Sequence, residues 1–522
     1  MNAQSPVILA LDSSTTSTKA IAFDLDGRAV VEARRDYPRS QPQPGWQEQD
    51  AEDWWRAAQA AIRDVAAACA AGRRDILALC LTHQRESFVL LDDRDRPVRP
   101  AILWLDTRAG EQIERVGSDF IHGLSGKPPS TTPSLYKLIW LAEREPDALA
   151  RASHIVEVHG FLTHRLTGRW LTSWATADPM ALLDMRDFTY APALLATAGV
   201  EAGQLSELTA PGRVMAPVAA AVARDLGLPP DLPVVAGAGD GQAAGLGAHV
   251  TGADRAYLSL GTSMTMGVHS DDYLYSRAFR TLASPMAGGY TLEALLSSGA
   301  LCVAWFRDRL SGLDPADGPI EPRLERLAET VPAGARGLRF LPYLTSAETP
   351  FWDAKARGAF VGLADTHGLP ELYRAVLEGL ALEERLTLRR LEKATGVKVA
   401  RLSVMGGASR SKLFTQIIAD VLQRPLDICA ETETTCLGAA ILGAAAVGAD
   451  GEHSVQATAA RMSHVARTVE PDAGLKGVYR LAAKAHQMLY PALKQVFPLL
   501  SELAAGGADG RDAGGEQRSD EL

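Results

Sequence analysis

Short apolar runs broken by small polar turns dominate the chain from its first residues. VILALD, KAIAFDLDG and RAVVEARRDYP read as three strands, since apolar and β-branched runs bounded by turn signals suit a buried pleated surface. The Asp-Gly pair at 26 and 27 marks the hairpin between the second and third. AEDWWRAAQAAIRDVAAACAAG then reads as a helix, with acids near its start and a glycine at its end. DILALCLTHQ and SFVLLDD return to strands, and residues 107 to 230 are helical and loop-rich. The opening grammar recurs in PVVAGAGD and AYLSLGTSMTMGVH, followed by LRFLPYL, ARLSVMGGAS, PLDICA and the helix CLGAAILGAAAVGA. Two α/β units, each beginning with strands joined by a small polar turn, predict a duplicated architecture with its boundary near residue 245.

Length agrees with that division. The chain has 522 residues, and domains cluster at about 100 to 200. The expected domains are 1–245 and 246–500, followed by a tail, 501–522, whose Gly-rich acidic sequence without apolar periodicity predicts disorder. Its SDEL ending echoes an endoplasmic-reticulum retention address, but MNAQSPVILALD lacks the basic flank and long apolar core of a signal peptide.

Hydrophobic residues make up 47% and charged residues 22%, which excludes disorder of the whole chain. A net charge of −10 without a basic stripe argues against a nucleic-acid partner, because phosphate backbones would meet a repulsive field. No stretch approaches the roughly 18 apolar residues of a membrane helix. The five cysteines, Cys69, Cys80, Cys302, Cys429 and Cys436, have neither CxxC spacing nor nearby histidine pairs. That excludes a zinc or disulfide scaffold and makes a reducing cytoplasm the expected compartment.

The chemistry is concentrated in the turns. In DSSTTSTK, hydroxyls and successive backbone N–H groups of Thr15, Thr16 and Ser17 converge on one concavity, a nest suited to phosphate. Lys19 adds charge at its rim, and Asp12 at the strand end is placed to hold a hydrated magnesium ion. Serine and threonine are also ordinary hairpin residues, so a purely structural turn stands beside this reading. Gly261, Thr262 and Ser263 repeat the design in the second unit, and one phosphate chain between two facing turns would use both. Gly406 and Gly407 join a strand to an amphipathic helix, as an adenosine site or simply as a turn needing positive φ. No P-loop or dinucleotide fingerprint is present.

Asp240 ends an apolar strand between Gly239 and Gly241, so its carboxylate can face a cleft with close approach on both sides. It suits a general base that takes a hydroxyl proton during phosphoryl transfer, and equally a helix N-cap. Gln84, Arg85 and Glu86 at a strand end fit hydroxyl recognition, and Trp104, Asp106 and Arg108 follow in the same style; surface ion pairing is the plain alternative. His83 and His159 read as core histidines, for no second ligand lies at metal spacing.

Taken in order, DSSTTSTKAIAFD, QPGWQEQDAEDWW, AILWLDTR, AGAGDGQAAGLG, LSLGTSMTMGV, ARGAFVGLADTHGLPELYRAVLEGLAL, VMGGASRSKLFTQIIADVL and CLGAAILGAA resemble the successive motifs of the FGGY carbohydrate kinases over about residues 7 to 445. The resemblance implies two actin-like, ribonuclease-H-like α/β domains with ATP and a sugar meeting in the cleft between them. It implies that Thr15, Thr16, Ser17 and Lys19 form the first phosphate turn, with Ser14 where the family usually has glycine. Gly261, Thr262 and Ser263 match the second turn, and Gly406, Gly407, Ala408 and Ser409 the adenosine turn. Asp240 matches the catalytic base, with Asp12 and Asp240 beside Mg2+, and Gln84, Arg85, Glu86, Asp106 and Asp240 around the acceptor.

Four positions depart from the nearer subfamilies. Thr132 replaces an aromatic of glycerol kinases, Gly241 stands where xylulose kinases usually carry Asn, and Arg-Glu at 85 and 86 replaces their Met-His. The expected activity is ATP-dependent phosphorylation of a primary hydroxyl on a small open-chain ketose or polyol, xylulose kinase-like, with a glycerol or other sugar-alcohol kinase as the alternative. A catalytically silent sugar sensor is the rival from another class. The expected partner is the small-molecule substrate alone, with no nucleic acid and no membrane, and a homodimer is left open.

Overall fold

A computed structural model describes residues 5–506, and its two large sheets repeat one strand order. The first comprises β1 (Ser5–Ser13), β2 (Ser17–Asp24), β3 (Ala29–Asp36), β4 (Arg74–His83), β5 (Val214–Pro217) and β6 (Pro233–Gly239), in the order β5-β6-β4-β1-β2-β3. The second comprises β7 (Arg255–Leu260), β8 (Met264–Ser270), β9 (Arg280–Ala283), β10 (Tyr290–Leu296), β11 (Arg401–Met405), β12 (Leu426–Cys429) and β13 (Val465–Val469), in the order β9-β10-β8-β7-β11-β12-β13. In each, three antiparallel strands (β3, β2, β1 and β10, β8, β7) continue into two parallel ones (β4, β6 and β11, β12). The duplicated α/β architecture expected from the recurring turns is therefore present, an actin-like pair of lobes.

The apolar runs explain why these strands are central. On β1, Val7, Leu9 and Leu11 point to one face and pack with Trp54, Ile62 and Val65 of α1 (Ala51–Ala71). Ile8 and Ala10 point to the opposite face and join the larger core. Helix α1 starts where Asp50 accepts a bond from the Glu52 N–H, as an N-cap should.

Two helices of small residues hold the lobes together: α2 (Asp240–Gly247) follows β6, and α3 (Thr434–Ala446) comes from the second unit yet lies against β1 and β4. A Cβ on Gly438 would sit 1.9 Å from the Ala243 carbonyl oxygen, and one on Gly247 2.0 Å from that of Thr434. The Gly/Ala composition of both segments thus follows from backbone-to-backbone approach.

The strand ends position the chemistry. Parallel pairing aligns Asp12 of β1 with Thr82 of β4, and Gly239 of β6 with His83, so Asp12, Arg85, Glu86 and Asp240 leave the sheet along one edge, where open α/β sheets bind ligands. In the second sheet Ser259 of β7 pairs with Met405 of β11, which brings the 261–263 and 406–409 turns side by side.

A helix extends into the segment expected to be the tail. Residues 501–506, assigned to it from composition, continue the helix Val496–Gly506, because its apolar residues extend the helical run up to the glycines. The rest of that segment, 507–522, lies outside the described residues. Among the described residues no helix is long and apolar enough to cross a membrane.

Candidate active site

Asp240 is the first residue of α2, after Gly239 in the N-cap position, and its side chain makes no capping bond across the first turn. Oδ1 accepts from its neighbour Gly241 N–H at 2.7 Å and pairs with Arg85 Nε at 2.8 Å. The side chain remains 42% exposed, so the carboxylate is oriented by the arginine and still open to the cleft. Arg85 also donates from Nη1 to Glu293 Oε1 at 2.9 Å.

Glu86 follows in a left-handed conformation, φ 62°, uncommon for a residue with a side chain. The Ser134 hydroxyl fixes this strained peptide by donating to the Glu86 carbonyl at 2.7 Å, and Arg280 Nη1 reaches the Glu86 carboxylate at 3.0 Å.

Asp12 is buried, and its Oδ1 has no hydrogen-bond partner. Burial first, and then the nearby Asp240 carboxylate, push its carboxyl up to about 7. An orphaned hard oxygen beside a second carboxylate fits a magnesium ion, which takes one or two carboxylates and completes its shell with water and phosphate oxygens. Among the described residues no group of three or more His, Cys, Asp or Glu is placed to hold a metal without such additional ligands.

The first turn is tightly braced. The Tyr37 hydroxyl donates to the Ser14 carbonyl at 2.6 Å, Gln49 Nε2 to that of Thr15 at 3.1 Å, and Trp104 Nε1 to Thr15 Oγ1 at 2.9 Å. Ser14 closes the turn on itself, its hydroxyl donating to the Ser17 carbonyl at 2.9 Å. Thr16 is the exposed hydroxyl at the tip. Lys19 reaches across to Glu433 Oε2 at 2.5 Å, so its ammonium is tied to the other lobe instead of standing free at the rim.

In the second unit, the carbonyls of Gly261 and Thr262 accept from the N–H groups of Ala300 and Leu301 at 3.0 and 3.2 Å, and Thr262 is exposed. Gly406 has φ 91°, and a Cβ there would lie 2.8 Å from the Leu260 backbone. Here the glycine is required both by its conformation and by close approach. Beside it opens a cleft of about 540 Å³ whose lining mixes apolar residues, among them Leu301, Tyr373 and Phe414, with the charged Arg307, Glu321 and Arg410, and reaches Thr262, Gly407 and Ala408. Ser409 lies behind it, its hydroxyl donating to the Gly406 carbonyl at 2.7 Å.

Two expected acceptor residues are buried with their polar groups engaged by the protein. Gln84 is buried, its amide turned inward to Ser87 at 3.1 Å. Asp106 is fully buried, and both its oxygens are taken, by the Arg108 guanidinium at 2.8 and 2.7 Å and by the Gln47 N–H at 2.6 Å. Arg108 in turn lies over the ring of Trp46 at 3.8 Å, which makes Asp106 part of a buried scaffold. His83 and His159 are buried, their rings 6.0 Å apart, and burial pushes the His83 imidazole down to about 3.

Two further residues belong to the site: Arg280 on β9 and Glu293 on β10, cross-strand partners in register. The sequence signal was a single acid inside the apolar strand YTLEALL, which demands a buried counter-charge.

The chain is similar to known proteins over most of its length. The sequence profile of the FGGY family of carbohydrate kinases, N-terminal domain, matches residues 7–247, and that of the C-terminal domain matches 256–447. The chain is 32% identical to a glycerol kinase of Alkalilimnicola ehrlichii over 462 residues, 85% of this chain and 91% of that one. It is 29% identical to the xylulose kinase of Escherichia coli over 516 residues, 94% of this chain and all of the other. The crystal structure of ligand-bound xylulose kinase from Lactobacillus acidophilus superposes with a TM-score of 0.89 at 25% identity, covering 95% of this chain and 100% of that one.

Proposed function

The chain belongs to the FGGY family of carbohydrate kinases and is an ATP-dependent sugar kinase, and we propose that its acceptor is a small open-chain ketose or polyol phosphorylated at a primary hydroxyl. The observation that carries this reading is the Asp240 carboxylate, held by Arg85 at 2.8 Å next to Glu86 and open to the cleft. Asp240 takes the proton from the acceptor hydroxyl as its oxygen attacks the γ-phosphoryl group. Arg85 keeps the carboxylate aimed and donates to a neighbouring hydroxyl, while Glu86 accepts from another.

The first turn, with Thr16 at its tip, and the second, with Thr262, receive the phosphates between the two lobes, taken as residues 1–245 and 246–500. Asp12 and Asp240 would hold magnesium, which when bound neutralises charge on the phosphates. The 540 Å³ cleft at Gly407 and Ala408 receives the adenosine. Closure of the lobes excludes water, which would otherwise be a competing acceptor.

The nucleotide half of this reading has its own test. A Cβ on Gly407 meets nothing within 4 Å, so Gly407→Leu leaves the fold intact and fills the slot. The KM for ATP rises at least tenfold while the acceptor KM stays within twofold; equal KM values for ATP in the two proteins would remove the adenosine from this cleft.

Adjacent Arg85 and Glu86 favour a second reading, a glycerol or other sugar-alcohol acceptor, because the pair offers one donor and one acceptor to neighbouring hydroxyls. ADP release measured across glycerol, erythritol, D-xylulose, D-ribulose and D-gluconate separates the two. A ketose with the highest kcat/KM supports the first reading and glycerol or erythritol the second. A silent sensor, the rival from the sequence, requires tight binding without turnover on all five.

A further inference from the structure

The geometry points to Arg280 as an acceptor-positioning residue: supplied by the second lobe, it clamps Glu86 of the first and makes the acceptor site complete only when the lobes are together. This rests on the reading of Glu86 and Asp240 as acceptor-facing groups. The Arg280 guanidinium, 9% exposed, donates from Nη1 to Glu86 Oε1 at 3.0 Å and from Nε to Glu293 Oε1 at 2.8 Å, and its Nη2 lies 2.6 Å from the same Glu293 oxygen. Glu293 also accepts from Arg85 at 2.9 Å and from the Tyr257 hydroxyl at 2.7 Å. Asp240, Arg85, Glu293, Arg280 and Glu86 therefore form one line of alternating charge. Its ends are the proposed base and the proposed hydroxyl ligand, both on the first lobe, and its middle is carried by β9 and β10 of the second.

Two independent features indicate that the line is built for this place. A Cβ on Gly241 would lie 2.4 Å from Glu293 Oε2 and 3.1 Å from Arg85 Nη2. The absence of a side chain at position 241 is what admits the Glu293 carboxylate. The β9 strand is also seated on the first lobe: Thr281 N–H donates to the Gly126 carbonyl at 2.9 Å and Ala283 N–H to Asp178 Oδ2 at 3.2 Å. Arg280 thus enters from a strand whose edge is already docked, and with Oε1 of Glu86 engaged, Oε2 is left to face the acceptor. An uncharged residue at 280 releases the Glu86 carboxylate from its orientation, while Ser134 still holds the Glu86 peptide.

The test is steady-state kinetics on whichever of glycerol, erythritol, D-xylulose, D-ribulose and D-gluconate the unmodified enzyme uses best. In Arg280→Met the acceptor KM rises at least tenfold while the KM for ATP stays within twofold. Arg280→Lys keeps the charge but cannot grip two carboxylates with one planar group, and it recovers only part of the loss. Adding Glu86→Gln to Arg280→Met raises the acceptor KM little further, since both changes remove one contact. This split is the readout a merely structural arginine would not produce, because general loosening of the lobes affects both substrates alike. If Arg280→Met does not fold, Arg280→Lys carries the test. An acceptor KM that is unmoved in the folded variants, or a KM for ATP that moves equally, overturns the clamp. Absence of turnover by the unmodified enzyme on all five compounds overturns instead the acceptor reading on which it rests.

Discussion

Asp240→Asn lowers kcat about a thousandfold or more and leaves ATP binding within about twofold. The substitution is nearly isosteric, and the amide oxygen can still accept from the Gly241 N–H at 2.7 Å and lie beside Arg85 Nε, 2.8 Å away in the enzyme, so orientation is preserved. What is lost is the ability to take a proton. The side chain is 42% exposed, and exposed polar exchanges change stability little, so a drop in turnover cannot be assigned to unfolding. Coupled ADP release with a saturating acceptor gives kcat, and calorimetric titration with ATP gives the nucleotide affinity. Turnover within tenfold of the unmodified enzyme would remove Asp240 from the base position. A matched loss of ATP affinity would instead make it a phosphate or metal residue only.

Much of this arrangement is legible from local pattern. The runs that became β1, β2, β4, β6, β7, β8, β11 and β12 are apolar enough to name themselves, and their turns are short and polar enough to mark where the strands release the chain. Asp240 and the three glycine or hydroxyl turns are legible for the same reason, because each sits where an apolar run stops.

Residues whose role depends on distant partners are not legible in this way. Gln84 and Asp106 carry the same local signal as Arg85 and Glu86, a polar group at a strand end. Only the fold reveals that Arg108, lying over Trp46, consumes the Asp106 carboxylate while Glu86 faces Arg280. Arg85 and Glu293 are 208 positions apart, and Lys19 and Glu433 are 414 apart, separations at which one sequence carries no pairing information. Both pairs cross between the lobes. Arg280 and Glu293, which escaped the sequence, are therefore the part of the site that depends on the lobes meeting.

Glu293→Gln carries the largest expected cost in stability, about 3 kcal/mol near neutral pH, because it takes the shared counter-charge from two buried guanidiniums. Burial alone would push this carboxyl up, but Arg85 and Arg280, with the Tyr257 hydroxyl, outweigh it and hold it down to about 2. The ordinary glutamate value is 4.5, so the folded state prefers the ionised form more strongly than the unfolded chain does. A group depressed in this way adds stability that is fully present above its unfolded value and is lost as pH falls through the folded one. The gap between enzyme and variant in chemical denaturation is therefore constant from neutrality down to about pH 5 and narrows as the pH is lowered toward 3. A gap that widens on acidification, or an equal stability of the two proteins at pH 7, would show that Glu293 is not the ionised centre of the line. The variant also separates the two lobes' contributions: Arg85 keeps Asp240 as its partner at 2.8 Å, whereas Arg280 keeps only Glu86 at 3.0 Å. The second lobe is thus left bound to the acceptor site through one ion pair, and the acceptor KM rises together with the loss of stability, in the same direction as in Arg280→Met.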